Sequence, residues 1–233
     1  MNVLLIGDGT MGSLVHNYLK NENHTVKMVS NLKEKITDSF DIMIDFSHPD
    51  CIQEIIEYSH EFKTPLLIAT TGYSDDQLNN IHDLAKVVPV MLSGNYSLGV
   101  ILMQRLVREA AKVLGADFDI EIIDKHHHHK VDAPSGTAKM LLSAANEGLH
   151  YKPVLGRSGF KKREKNEIGV HALRGGTIVG THEIMFAGHH EILSIKHEAL
   201  SKEIFVKGAL KGAQWLLRQP AGFYSMEDVL FEN

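Results

Sequence analysis

Residues 126–139, HHHHKVDAPSGTAK, place four imidazoles and an ammonium within five positions, then a proline and the small residues Ser135-Gly136-Thr137. An imidazole exchanges protons near neutral pH. Ser-Gly-Thr has the form of a helix start, and the unpaired N–H groups of a helix N-terminus suit an anion. A proton donor beside an anion cradle suggests an active site for a small acidic substrate.

The same histidines raise the question of a metal. If residues 126–129 are extended, His126 and His128 face one way and His127 and His129 the other. One ion then meets two of them at most, and further ligands would have to come from His182, His189, His190 or His197. No Cys pair and no H-E-x-x-H spacing supports zinc. The reading assigns no physiological metal, although the run can capture nickel adventitiously.

A second motif stands at the other end of the chain. Gly7-Asp8-Gly9-Thr10-Met11-Gly12 follows an apolar run and opens an amphipathic one, which is the G-x-G-x-x-G spacing of a dinucleotide fold. The first Gly permits the tight turn, the second lets backbone approach a pyrophosphate, and the third allows close helix–strand packing. The competing reading is a merely tight turn. A strict NAD site would place an acid at the end of the second strand, but that strand ends Val29-Ser30-Asn31, with no acid between Glu22 and Glu34. Lys33 and Lys35 are close enough in sequence to meet a 2′-phosphate, which favours NADP, or they are simply solvated helix charges. Asp45-Phe46-Ser47, Ala69-Thr70-Thr71-Gly72 and Ser93-Gly94-Asn95 end other apolar runs. Strand ends of this kind form the ligand crevice of a doubly wound sheet, or they are only turns.

These motifs need a frame, and the pattern supplies one. Val3–Ile6, Val26–Val29, Ile42–Phe46, Leu66–Ala69 and Val87–Leu92 read as buried strands, alternating with helical stretches over Met11–Asn21, Ile52–Phe62 and Asp75–Lys86. This predicts an α/β fold with an N-terminal Rossmann-type, doubly wound parallel sheet. A long helix follows over 98–114, with Leu98, Leu102, Leu106 and Ala110 four apart. Phe118–Asp124, Ile168–Arg174, Thr177–Ala187 and Glu191–His197 then read as longer, alternating strands with turns at Gly175-Gly176 and Gly188-His189. They predict a C-terminal α/β domain with an open mixed sheet, one face for helices and one for solvent or a partner subunit. A helical stretch over 202–218 returns to the first domain. The expected division is 1–97 with 208–233 for the dinucleotide, and 98–207 for substrate and oligomerisation.

Composition narrows the classes. The chain has 233 residues, 43% hydrophobic and 23% charged, with net charge -5, so it can bury a core and offers no basic stripe for nucleic acid. The one basic cluster, Lys161-Lys162-Arg163, is broken by Glu164 and reads as a solvated loop. A single cysteine, Cys51, excludes an internal disulfide and fits a small buried side chain better than a catalytic thiol. No apolar run approaches the roughly 20 residues that span a bilayer, and the first residues lack the marks of a signal peptide. A cytoplasmic protein is expected, without membrane or nucleic-acid partners.

The segment Glu121-x4-His126-His127-x2-Lys130-x-Asp132-Ala133-Pro134-Ser135-Gly136-Thr137-Ala138 resembles the signature of the dihydrodipicolinate reductase family. The Gly-rich loop, the Thr-Thr-Gly segment, Asn95-Tyr96-Ser97-Leu98-Gly99 and Arg174-Gly175-Gly176-x3-Gly180-x-His182 fall in the family's order, so the resemblance covers nearly the whole chain. It implies a Rossmann domain, a C-terminal domain whose open sheet builds a homotetramer, and reduction of a cyclic dicarboxylate by NADH or NADPH in lysine and diaminopimelate biosynthesis. Carried over by position, His126 takes the general-acid place and Lys130 the other catalytic place. His127, Gly136 and Thr137 take substrate-binding places. Gly7, Gly9, Thr10, Met11, Gly12, Ser30, Phe46, Ala69, Thr70, Thr71, Ser93, Asn95 and Tyr96 take cofactor-binding places. Two departures stand out: Thr10 where many members carry Arg, and His128 where an Arg often precedes the next His. A relative of aspartate or homoserine dehydrogenases, and a non-catalytic NADP- or metal-binding sensor, are the alternatives.

Overall fold

A computed structural model describes residues 1–33 and 36–231. Lys35, one of the two lysines considered for a 2′-phosphate, lies outside the described residues. The chain divides into two compact units, one built from Met1–Leu98 and the segment returning at Glu203, the other from Gly99–Lys202.

In the first unit the apolar runs become β1 (Asn2–Ile6), β2 (Thr25–Val29), β3 (Ile42–Asp45), β4 (Leu66–Ile68) and β5 (Pro89–Leu92), joined at the edge by β11 (Gly222–Tyr224). Their order is β11-β5-β4-β3-β1-β2, and every pairing is parallel. All three residues of β4 and all four of β3 are buried, as a sheet covered on both faces requires. The crossovers are α1 (Thr10–Asn21), α2 (Ile52–Phe62, after a short 3-10 turn at Pro49–Cys51) and α3 (Asp75–Leu84). A capping box starts α3: the Ser74 side chain accepts from Gln77 N–H, and the Gln77 side chain accepts from Ser74 N–H. The returning helix α6 (Glu203–Leu216) packs on α1, β4 and β5. It approaches so closely that a Cβ on Gly208 would stand 1.6 Å from the Tyr96 carbonyl oxygen.

The second unit carries α4 (Leu98–Leu114), β6 (Asp119–His126), α5 (Gly136–Ala145), β7 (Lys152–Leu155), β8 (Glu167–Arg174), β9 (Gly180–Ala187) and β10 (Ile192–Ala199). The sheet order is β10-β9-β6-β8-β7, with β9 antiparallel to both β6 and β10, and β8 parallel to both β6 and β7. One face is closed by a core of Ile120, Ile122, Ile184 and Phe186 against Met103 and Val107 of α4 and Leu141 of α5. The other face has no such cover within this unit, and it is mixed: Leu173 and Ile192 are exposed, and Lys196 pairs with Glu198 at 2.8 Å.

Helix α4 lies where the four-spaced row placed it. It buries Val100, Met103, Val107 and Ala111, while Leu102 and Leu106 of the four-spaced leucine row are exposed. The helix carries two apolar stripes, and the row of leucines is the outer one. Two other details differ from the sequence reading. Strand β9 begins at Gly180 rather than Thr177, because the turn after Gly175 runs further. Strands β7 and β11 and a last helix, α7 (Met226–Phe231), were not anticipated, being three to six residues long and weakly patterned.

Candidate active site

Strand β6 explains why chemistry appears where it does. Its burial alternates strictly, so Ile120, Ile122, Asp124 and His126 form one inward row. The first two belong to the core; the last two continue the row with an acid and an imidazole. The strand then stops. His128 and His129 lie in a turn closed by Lys130 N–H donating to the His127 carbonyl, with their ring nitrogens 2.9 Å apart. The extended arrangement considered for residues 126–129 is therefore replaced by a turn, and only His126 faces inward from the strand.

Asp124 is fully buried, and both its oxygens are engaged. Oδ1 stands 2.6 Å from His126 Nδ1, a close contact bent from ideal hydrogen-bond geometry, and 3.7 Å from His182 Nε2. Oδ2 accepts from the Ser135 N–H at 2.7 Å and lies 3.4 Å from Arg174 Nη2. Burial alone would favour the neutral acid. The His126 contact, the Ser135 N–H and the nearby His182 outweigh it and hold the carboxyl below the usual carboxylate range. His182 goes the other way: burial, against the pull of Asp124, lowers it to about 4, so it is a neutral imidazole at pH 7. Its Nε2 is 3.0 Å from Ser135 Oγ.

Asp124, His126 and His182 also bring three ligand-type atoms within 4.8 Å of one another. Two donors on a tetrahedral zinc, with bonds of about 2.1 Å, stand roughly 3.4 Å apart. The 2.6 Å contact is shorter, and the Arg174 cation adjoins it. Proton sharing describes the cluster better than metal coordination.

Next to it is the expected cradle. Ser135 caps α5, its hydroxyl accepting from Ala138 N–H at 3.1 Å, and no acid occupies the first turn of the helix. Asp132 is the unexpected part. Its carboxylate takes the Lys130 ammonium at 2.7 Å and the Gly136 N–H, and these contacts outweigh partial burial to hold it below the usual carboxylate range. Two donors expected to receive a substrate carboxylate thus already hold one from the chain itself. Arg174 closes the loop by donating to the Asp132 carbonyl at 2.5 Å. Thr137 and His127 are partly exposed beside these groups. Arg163, by contrast, is fixed at the opposite end of β6 by Asp119 at 2.6 Å and Glu121 at 3.2 Å, so it is a structural cation and not part of this site.

The first unit presents a different kind of site. Gly7 has φ +104°, and a Cβ there would stand 2.3 Å from the Phe46 carbonyl oxygen; a Cβ on Gly12 would stand 1.9 Å from that of Gly7. Gly9 is the reverse, with nothing within 4 Å of its missing Cβ. It caps α1 without a side-chain hydrogen bond, and the first turn, Thr10 included, has no acid. Open space against uncapped N–H groups is what a pyrophosphate needs, so these residues fit a dinucleotide. At the ends of β3 and β4, Met11, Phe46, Ala69, Thr70 and Thr71 line a cleft of about 780 Å³. Beneath Phe46, buried Asp45 binds Ser47 N–H at 2.9 Å and Tyr73 O–H at 3.1 Å, tying two walls together. Ser93, Asn95 and Tyr96 are buried in the next strand end and largely serve the frame: Ser93 Oγ donates to the Asn95 carbonyl, and Tyr96 O–H to that of Ile68. Ser30 is exposed after β2, and Lys33 lines a separate small pocket with Glu54, Glu57 and Glu61.

Comparison with known proteins agrees with both halves. Residues 1–96 match the profile for dihydrodipicolinate reductase, N-terminus, and residues 99–230 that for its C-terminus. The chain belongs to the dihydrodipicolinate reductase family. A 4-hydroxy-tetrahydrodipicolinate reductase of Clostridium novyi is 44% identical over 213 residues, covering 91% of this chain and 84% of that one. One from Clostridium perfringens is 39% identical over 252 aligned positions, covering 100% and 99%. In fold, the chain is similar to a solved dipicolinate-bound dihydrodipicolinate reductase from Paenisporosarcina sp. TG-14, with TM-score 0.77, 24% identity and 97% of each chain covered. An amine dehydrogenase from Mycobacterium smegmatis shares the general fold at TM-score 0.62 and 10% identity. Sequence reading singled out His126, Lys130 and the Ser135-Gly136-Thr137 start, but gave Asp124, Ser135, Arg174 and His182 no part as partners of one another. Arg174 and His182 were quoted in a motif; nothing in the spacing said that strands β8 and β9 bring them to Asp124.

Proposed function

We propose that this chain is an NAD(P)H-dependent oxidoreductase that reduces 4-hydroxy-tetrahydrodipicolinate to tetrahydrodipicolinate, a step of diaminopimelate and lysine biosynthesis. The observation that carries the reading is the His126–Asp124 pair beside a Lys130 ammonium and the start of α5, all within a full-length family match. The change requires one hydride, one proton and loss of water. When bound, the nicotinamide supplies the hydride. The chain's own residues do the rest. His126 delivers the proton from Nε2. Lys130 and the Gly136 N–H exchange the Asp132 carboxylate for those of the substrate, joined by the Thr137 N–H, so a dicarboxylate finds two fixed positive ends. His127 adds a contact at the rim.

The Gly9 turn and the cleft at Phe46, Ala69, Thr70 and Thr71 support dinucleotide binding in the first unit. We place Ser93, Asn95 and Tyr96 at its far wall, acting mainly through backbone. Ser30 and Asn31 accept a ribose or a phosphate alike, and Lys33 shares its pocket with three carboxylates. Dual use of NADH and NADPH with a modest NADPH preference follows, because exposed charge contacts contribute only about 0.2–1 kcal/mol each. The open face of the second sheet supports a homotetramer. No helix among the described residues is long and apolar enough to cross a membrane; cytoplasmic action fits the reaction. The test is to supply the aldol product of pyruvate and aspartate semialdehyde and follow loss of reduced-nicotinamide absorbance. We expect substrate-dependent oxidation of both cofactors, with NADPH favoured several-fold at low salt and less at high salt. No oxidation of either by folded protein would contradict the reading.

A further inference from the structure

Asp124 has no exposed surface, yet three of the four groups around its carboxylate lead to an expected task. His126 is the proton donor, Ser135 opens the cradle helix, and Arg174 braces the Asp132 carbonyl while Asp132 holds Lys130. A buried carboxylate without partners is strongly unfavourable, and this one is kept ionised only by the groups around it. We infer that Asp124 is the positioning residue that fixes His126 with its Nδ1 proton turned inward and its Nε2 free to deliver the proton. The inference rests on the reading of His126 as proton donor.

Three features around the ring favour that orientation. A neutral imidazole carries its proton on whichever nitrogen its partner selects, and here the partner is an anion 2.6 Å from Nδ1. On the other side of the ring, Gly180 of β9 has no side chain; a Cβ there would stand 3.1 Å from Nε2 and crowd its approach. The charged and titratable groups facing the pair are Arg174 from β8, His182 from β9, and Lys130 and His127 from the turn. Of these, His182 is neutral at working pH, so it bonds Ser135 without competing for the carboxylate as a second cation. In the reaction the Nε2–H bond breaks and the proton passes to the electron pair that hydride addition creates. The Nδ1–H stays on the ring, and Asp124 takes no proton, so the imidazole is reprotonated at Nε2 from solvent.

Asp124→Asn is isosteric and keeps an oxygen for the Ser135 N–H, so a purely structural role predicts a lower melting temperature with kcat unchanged. The inference predicts instead that kcat falls about 10²-fold, within the range a general acid supplies, while KM moves much less. Asp124→Glu should recover part of the loss. Independently of any variant, nitrogen NMR of the wild-type His126 ring should show Nδ1 protonated even when the ring is neutral. Wild-type kcat in Asp124→Asn, or a neutral ring protonated on Nε2 alone, would overturn the inference. If wild-type protein shows no turnover with substrate, the proposed reaction fails, and the ring spectrum still decides the role of Asp124. If Asp124→Asn does not fold, the Glu variant and that spectrum decide it.

Discussion

The two candidate sites are built by opposite means. In the first unit the Gly7–Gly12 turn works through what is missing: no Cβ at Gly7 or Gly12, where backbone oxygens stand 2.3 and 1.9 Å from the place it would take, and open space at Gly9. In the second, Asp124, His126, His182 and Arg174 are packed charge and imidazole, each answered by another. A site made of absences sits in one short segment and depends on backbone shape. A site made of charges is drawn from β6, β8, β9 and the start of α5, and depends on ionisation. The first should respond to added volume and the second to pH.

Adding one methyl group at Gly12 should have the largest effect on stability. The neighbour it meets is backbone, which cannot turn aside, so Gly12→Ala should reach or exceed the upper end of the roughly 1–3 kcal/mol typical of overpacking. Urea unfolding followed by circular dichroism measures it, and stability within error of wild type would remove the contrast between the two sites.

The second site should announce itself under acid. Folding lowers His182 from 6.5 to about 4, so between those values the unfolded chain binds more protons than the folded one. The contribution of His182 is therefore complete above pH 6.5 and lost as pH falls to about 4, amounting to at most about 3 kcal/mol. Stepwise urea titrations should show that slope, and His182→Gln should flatten it. A slope unchanged in the variant would mean that other groups carry the acid sensitivity.

Gly9 sharpens the comparison with a smaller effect. Serine caps helices at least as well as glycine, so Gly9→Ser should melt no lower than wild type. Its side chain would fill the open space and its hydroxyl would claim the free N–H groups. Cofactor affinity should fall about tenfold, or roughly 1.4 kcal/mol, by calorimetry. Unchanged affinity would place the pyrophosphate elsewhere.

The same contrast explains what could be read from the sequence. The glycine turn is contiguous and follows a buried strand, so its spacing together with that setting marked it as a dinucleotide candidate, and the parallel sheet followed from alternating apolar runs. His126, Lys130 and the Ser135-Gly136-Thr137 start were equally local. Asp124 was read only as the end of a strand, because its importance comes from Ser135 eleven positions away and Arg174 fifty positions away. Asp132 was quoted within the motif without a task, since nothing in its spacing says that it lies against both Lys130 and Gly136. The leucine row of α4 shows the same limit: its four-residue spacing marked the helix over 98–114, which the structure has, but it does not say which of two apolar stripes faces the core.

The central claim is that proton delivery and cofactor binding are separate tasks of separate regions, and His126→Gln tests it most directly. Turnover and the dissociation constant of NADPH would be measured on the same folded sample. We predict that kcat falls by about 10²-fold or more, the loss of a general acid, while NADPH affinity stays at the wild-type value. Near-normal turnover, or a loss of NADPH affinity in step with the loss of kcat, would contradict it.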